Sequence, residues 1–244
     1  MMNKSFSLLL ALLFIGASAF SQQDENAQRV EFSVRIAPII SMPSARTESA
    51  DWDFSSGGAK LKFSGGISVD KFLQENIAIG MGVWYAGKRS TVNINTTDNT
   101  TLDVNGLADY NLQYIEFPLL FKGFTNNITE KMKIYFQVGG TFGIKLSEQY
   151  AGDDLKQKPS SETYAKWYDT SLMLGLGVEL NIGTSNKLYT GVDFSQGLTN
   201  IIKKDYLNGV SDTNGNGITE DDVPNKNDYK VKNASLALVL GFKF

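Results

Sequence analysis

The chain has 244 residues, 23 Lys or Arg against 26 Asp or Glu, a net charge of −3, and neither Cys nor His. The lack of Cys excludes disulfides, thiolate metal sites and a lipid-anchoring cysteine, and the lack of His excludes most zinc sites and every Ser-His or His-Asp catalytic device. The mild acidity leaves no basic surface to neutralise phosphates, so nucleic acid is excluded as a partner.

Residues 1–21 have the pattern of a secretory signal. Lys4 supplies the charge, residues 6–15 an apolar stretch, and Ala17, Ser18, Ala19 and Ser21 the small residues before cleavage ahead of Gln22. The mature domain is expected over 22–244. No later stretch reaches the ~18 apolar residues of a membrane helix.

From residue 30 onward the apolar residues recur with a period of two, which specifies strands with one apolar face. Val30, Phe32, Val34, Ile36 and Ile40 alternate with Glu31, Ser33, Arg35 and Ala37. Similar segments begin near Leu61, Ile77, Ile115, Ile134, Leu172 and Leu188, and the eighth is 234–244. Each runs about ten residues, the length that crosses a bilayer when tilted. The predicted fold is all-β: an eight-stranded antiparallel transmembrane barrel wound as an up-and-down meander.

The connections alternate in length. Segments 43–59, 87–111, 147–170 and 199–229 are long, whereas 70–76, 125–131 and 183–187 are short. Outer-membrane barrels place short turns in the periplasm and long loops outside, so both termini are expected to be periplasmic. Within 87–111, residues 91–95 and 101–105 flank Thr97-Asp98-Asn99, a hairpin that would lengthen two strands above the membrane. The pattern assigns Trp84, Tyr110, Tyr164, Trp167 and Tyr168 to an outer aromatic girdle. It assigns Phe72, Phe124, Phe242 and Phe244 to a periplasmic one.

The opposite faces of the strands would line the lumen. They carry Glu31, Arg35, Lys60, Lys62, Glu116, Lys122, Lys145, Glu179 and Asp193. An eight-stranded barrel is just wide enough to be filled by side chains, and buried charges need partners. The expectation is an ion-pair plug, with a narrow polar conduit as the alternative. In the last loop Asp212, Asn214 and Asn216 before Gly217 match the first half of a calcium-binding loop. The twelfth position falls at Val223, which leaves Asp222 to substitute. Calcium there is the one candidate cofactor.

The final strand, 234–244, sets Leu236, Leu238, Leu240, Phe242 and Phe244 on one face and ends the sequence on an aromatic. A barrel can close with such a strand, with its apolar face to lipid.

Three segments resemble the PorT-like outer-membrane β-barrel family of Bacteroidota. They are 63–72 (FSGGISVDKF), 75–85 (ENIAIGMGVWY) and, most specifically, 114–122 (YIEFPLLFK). The resemblance implies an OmpA-type eight-stranded barrel in the outer membrane of a Gram-negative bacterium. It also implies that Phe242 and Phe244 act as a signal to the barrel-assembly machinery. The family's namesake assists type IX protein secretion. Pro118, inside the fourth strand, departs from general barrel rules and would mark a lumen-facing bulge.

Known enzymatic barrels of this size depend on His, so an enzyme is not expected. The expected role is a structural or accessory outer-membrane barrel, in contact with outer-membrane lipid. It would act through its extracellular loops or by docking to a larger outer-membrane complex. A narrow porin or a secretion-system accessory barrel is the alternative.

Overall fold

The computed structural model describes residues 29–47, 52–96, 106–150, 164–183, 186–201 and 229–244. The signal segment, the 97–99 hairpin tip and the calcium-loop residues Asp212, Asn214, Asn216 and Asp222 lie outside them. The strands are β1 (Val30–Ser41), β2 (Ser44–Thr47), β3 (Trp52–Ser56), β4 (Lys60–Gln74), β5 (Ile77–Thr96), β6 (Gly106–Phe124), β7 (Met132–Tyr150), β8 (Tyr168–Asn181), β9 (Lys187–Gly197), β10 (Tyr229–Lys232) and β11 (Ala234–Lys243). Eight of them form the barrel wall. Every neighbour pair is antiparallel and consecutive among the staves, and β1–β11 pairing closes the ring. The fold is therefore a closed eight-stranded antiparallel β-barrel.

Period-two alternation becomes inside-outside alternation. The burial of β11 alternates strictly along the strand, as does that of β1. Outward positions stay apolar and open: Leu119 is 60% exposed and Leu176 61%. Inward positions are buried whether they are polar or not.

The closing seam continues past the β1–β11 ladder. The β1–β11 ladder runs from Ser33 opposite Lys243 to Ser41 opposite Ser235. The β2–β10 ladder, from Ser44 opposite Lys232 to Thr47 opposite Tyr229, continues it in the same register. Pro43, which has no N–H to give, and Asn233 separate the two stretches.

Two prolines sit inside staves, and neither shifts the register. Around Pro38, β1–β11 pairing lapses between Ile36 and Ile39 and resumes unchanged. Around Pro118, β5–β6 pairing lapses between the Met81–Leu119 and Trp84–Glu116 pairs, again without offset. Pro118 is inward and buried, but it costs ladder bonds rather than making a bulge. The bulge of β6 lies instead at Gln113/Tyr114, facing β7.

At the outer end β5 and β6 part from the cylinder. β4 pairs with β5 only as far as Ser64 opposite Ala86. Beyond it, β5 and β6 continue as a ribbon to Ile94 opposite Gly106, and β3 replaces β4 as the neighbour of β5. The ribbon leans over the mouth. The hydroxyl of Ser41, an inward residue of β1, accepts from the Arg89 N–H at 3.1 Å and donates to the Arg89 carbonyl at 3.0 Å. Gly57 N–H reaches the Thr91 carbonyl at 2.8 Å. A Cβ on Gly57 would fall 2.3 Å from Thr91 Cγ2, and Gly58 turns the chain into β4 with φ +98°.

The expected aromatic girdles divide between the two surfaces. Trp167, Phe242 and Phe244 are exposed and Tyr168 is half-buried on the outside. Trp84, Tyr110, Tyr164, Phe72 and Phe124 are buried inside. Trp84 and Phe72 occupy inward positions opposite Gly66 and Ala78, and those small partners leave room for the rings. Tyr110 and Tyr164 stack on each other at 4.4 Å under the ribbon.

Candidate functional site: a lumen filled by charge layers

The lumen contains three polar layers, each built from inward positions of several staves. At the end nearest Arg29 and Phe244, Lys243 of β11 holds three carboxylates. Its Nζ lies 2.6 Å from Glu179 of β8, 3.1 Å from Asp70 of β4 and 3.5 Å from Glu31 of β1. Lys122 of β6 reaches Asp70 at 2.7 Å. Lys187 of β9 bridges Glu31 at 2.5 Å and Glu179 at 2.9 Å. Arg29 closes this end from outside, 2.9 Å from Glu31 and stacked 3.8 Å over the Phe72 ring.

The middle layer is a crossbar. Arg35 of β1 pairs with Asp193 of β9 at 3.1 Å and lies 4.0 Å over the Trp84 ring of β5. Gln137 of β7 donates to Asp193 at 2.6 Å. Trp84 Nε1 donates to Ser68 Oγ of β4 at 2.8 Å.

In the outer layer Lys88 of β5 lies 2.6 Å from Glu116 and 3.1 Å from Asp169 of β8. Asp169 also accepts from Thr199 at 3.0 Å and from the Asn233 amide at 2.8 Å. Above it, on the other face of the ribbon, Arg89 forms a two-pronged pair with Asp109, which Thr91 also contacts at 3.1 Å. Burial raises the Asp109 pKa, but the Arg89 hydrogen bonds and charge outweigh it and hold the carboxyl below its ordinary value.

Between the charge layers the volume is filled by rings set against glycines. Phe72, Phe124, Tyr135 and Tyr189 belong to one buried cluster, with Phe72 and Phe124 stacked at 5.3 Å. A Cβ on Gly241 would fall 2.1 Å from Tyr189 Cζ, and one on Gly177 would fall 2.6 Å from the Tyr135 hydroxyl. These contacts leave the interior packed and charge-compensated across the ring. The arrangement ties the staves to one another across the lumen.

Of the lumen residues read from the sequence, Glu31, Arg35, Glu116, Lys122, Glu179 and Asp193 meet in these layers. Three do not. Lys60 is exposed at the outer rim, because β4 begins there and no wall stands in front of it. Lys62, half-buried, donates to Asn111 at 2.6 Å on the ribbon. Lys145 is tied to Glu148 and to the Ala165 carbonyl at the rim. Asp70, Lys88, Asp169, Lys187 and Lys243 complete the network. Asp70, Lys88, Asp169 and Lys187 lie just past the apolar runs, in segments that the alternation reads as connections, and Lys243 lies on the face of the last strand opposite Leu240 and Phe242. Extending the inward parity past each apolar run would have found them.

A family model described as "Outer membrane protein beta-barrel domain" matches residues 20–203. No curated protein matches the chain. Among solved structures, the outer membrane protein OprG from Pseudomonas aeruginosa is similar with a TM-score of 0.52 and 12% identity, over 91% of this chain and 99% of that one. The outer membrane protease OmpT from Escherichia coli is similar with a TM-score of 0.52 and 11% identity, over 92% of this chain and 99% of that one. At these identities the likeness is one of fold.

Proposed function

The chain belongs to the outer membrane protein beta-barrel domain family, and from that premise we propose that it is a non-conducting structural or accessory barrel of the Gram-negative outer membrane. It would act through its outer surface or by docking to a larger outer-membrane complex. The observation that carries this reading is the Arg35–Asp193 crossbar at 3.1 Å, stacked on Trp84 in mid-lumen. It lies between two further layers of paired charge. A conduit would need a continuous polar path, and here inward charges are bound to partners on other staves.

In this reading residues 1–21 direct export, both termini lie in the periplasm, and the β5–β6 ribbon with β2, β3 and β10 forms the extracellular end. A position among PorT-like barrels of Bacteroidota is supported by segments 63–72, 75–85 and 114–122. The lack of His favours a non-enzymatic role, and fold likeness to a protease carries no activity with it. Calcium in the 212–222 loop remains part of the proposal, and titration of the intact protein with calcium tests it.

Planar-bilayer recording of the purified barrel tests the central point. The expected result is no steady conductance in wild type. A reproducible open level in wild type would overturn the plugged reading in favour of a narrow porin.

A further inference from the structure

The outer charge layer is held differently from the layer around Lys243. Around Lys243 each carboxylate is shared by at least two cations: Asp70 by Lys122 and Lys243, Glu179 by Lys187 and Lys243, and Glu31 by Arg29, Lys187 and Lys243. Such sharing keeps a carboxylate ionised. In the outer layer the balance is reversed. Lys88 faces two carboxylates, with its Nζ 2.6 Å from Glu116 and 3.1 Å from Asp169. Among the described residues no other cation is paired with Asp169.

The other partners of Asp169 are neutral donors. The Thr199 hydroxyl donates to Oδ1 at 3.0 Å and the Asn233 amide to Oδ2 at 2.8 Å. Thr199 Oγ1 itself accepts from the Thr170 N–H at 3.1 Å, which leaves its own proton for Asp169. Lys88, Glu116, Asp169 and Asn233 are all buried, and the fully buried Tyr114 ring lies 5.2 Å from Lys88 Nζ. As an ammonium and two carboxylates, Lys88, Glu116 and Asp169 carry one net negative charge. Passing one proton from Lys88 to Asp169 gives an amine, a carboxylic acid and a carboxylate on Glu116, at the same net charge. The reactants of amide formation are thus one internal proton transfer away. Burial lowers the cost of that transfer, because it penalises the charged forms.

We propose that Lys88 and Asp169 join in an intramolecular isopeptide bond across the outer lumen, with Glu116 carrying the proton. The Nζ lone pair of the neutral amine attacks Asp169 Cγ, and the carbonyl electrons move onto Oδ1, where the Thr199 hydroxyl donates to the growing charge. Glu116 takes a proton from Nζ and returns it to the Oδ2 hydroxyl. The C–O bond breaks, water leaves, and Glu116 is again a carboxylate. Nothing is oxidised or reduced. Holding the three groups in contact supplies the proximity that amide formation between separate molecules lacks. The product also removes two buried charges whose desolvation is costly. The bond would tie β5 to β8, which are not neighbours in the wall. It would close a loop whose ends lie 81 positions apart, a constraint that persists in the unfolded chain.

Peptide mapping of the full chain by mass spectrometry tests the bond directly. Chain made as inclusion bodies and dissolved in urea should have a free Lys88. After refolding in detergent, or extraction from outer membranes, trypsin should release peptides 72–89 and 167–187 joined, one water lighter than their sum. Glu116→Gln and Asp169→Ala, with folding checked by heat-modifiable gel mobility, should each leave the two peptides separate. Folded wild type without the joined peptide, after days in detergent, would overturn the proposal. Joined peptide forming in folded Glu116→Gln at the wild-type rate would overturn the part given to Glu116. If either variant fails to fold, the wild-type time course still decides, because a Lys88 that is only ion-paired yields no joined peptide.

Discussion

Lys243, on the last strand, places its Nζ 2.6 Å from Glu179 Oε2, so β11 brings a cation to carboxylates held by earlier strands. Glu31, Asp70 and Glu179 stand on β1, β4 and β8, and Lys243 reaches all three only when β11 is in place. Closure of the barrel therefore adds a buried cation to an inner end that Lys122 and Lys187 neutralise only in part. A buried carboxylate left without its cation is costly.

Lys243→Met should therefore destabilise the folded barrel by about 3–5 kcal/mol, the usual cost of breaking a buried pair from one side. Pairing it with Glu179→Gln should recover part of the loss, because one stranded charge is then removed. Urea unfolding in detergent, followed by tryptophan fluorescence, measures both. A double variant no more stable than Lys243→Met would mean that Glu179 is satisfied by Lys187 alone.

Space inside the barrel is allotted as narrowly as charge. Tyr189 of β9 lies across Gly241 of β11, and a Cβ there would meet the ring at 2.1 Å. Gly241→Val should force the ring out and cost about 1–3 kcal/mol as overpacking. Adding Tyr189→Ala should restore folding of the Gly241→Val chain, as read by heat-modifiable mobility. Loss of folding that Tyr189→Ala does not relieve would point to a backbone cause.

Much of this architecture is legible in the sequence because a barrel wall repeats one local rule. Alternation marks Ile77 to Tyr85 as a stave without reference to anything distant, and the rhythm of loop lengths orders the staves. The strand ends are less legible. At Lys88 the apolar run has stopped, so a parity count based on hydrophobicity stops too, although β5 continues to Thr96. Lys88 and Asp169 thus read as loop residues, yet they meet at 3.1 Å. The aromatic assignments failed for a related reason. A ring near a strand end looks the same to a girdle and to a lumen by residue type alone, and strand parity, which sets Trp84 on the inward face with Ala86 and Lys88, tells them apart. Trp84 is buried opposite Gly66, whereas Trp167, just before β8, is exposed.

The Arg89–Asp109 pair makes the ribbon sensitive to acid. Arg89 holds the Asp109 carboxyl below its ordinary value of 3.8. A depressed folded-state pKa contributes stability above the unfolded value, and that contribution is lost as pH falls through the folded one. Hydrogen exchange of 87–96 and 106–112 should therefore rise as pH drops below about 4 relative to the barrel wall, after correction for intrinsic rates. Asp109→Asn should show the faster exchange already at pH 7. Equal protection of wild type and variant at pH 7 would show that Ser41 and Gly57 hold the ribbon without the ion pair.

The chain's last residue completes the seam with its backbone as well as its ring. Phe244 N–H donates to the Phe32 carbonyl at 3.0 Å, and Phe32 N–H reaches the terminal oxygen of Phe244 at 3.2 Å. Their rings stack at 6.4 Å on the outward face. Deleting Phe244 removes both bonds and the ring, whereas Phe244→Ala removes the ring alone. If the aromatic is what the assembly machinery reads, both variants should lower outer-membrane levels several-fold while refolding in detergent remains near wild type for Phe244→Ala. Immunoblotting of membrane fractions and detergent refolding separate the two roles. Normal membrane levels of Phe244→Ala beside low levels of the deletion would assign the terminus to the closing ladder instead of to a recognition signal.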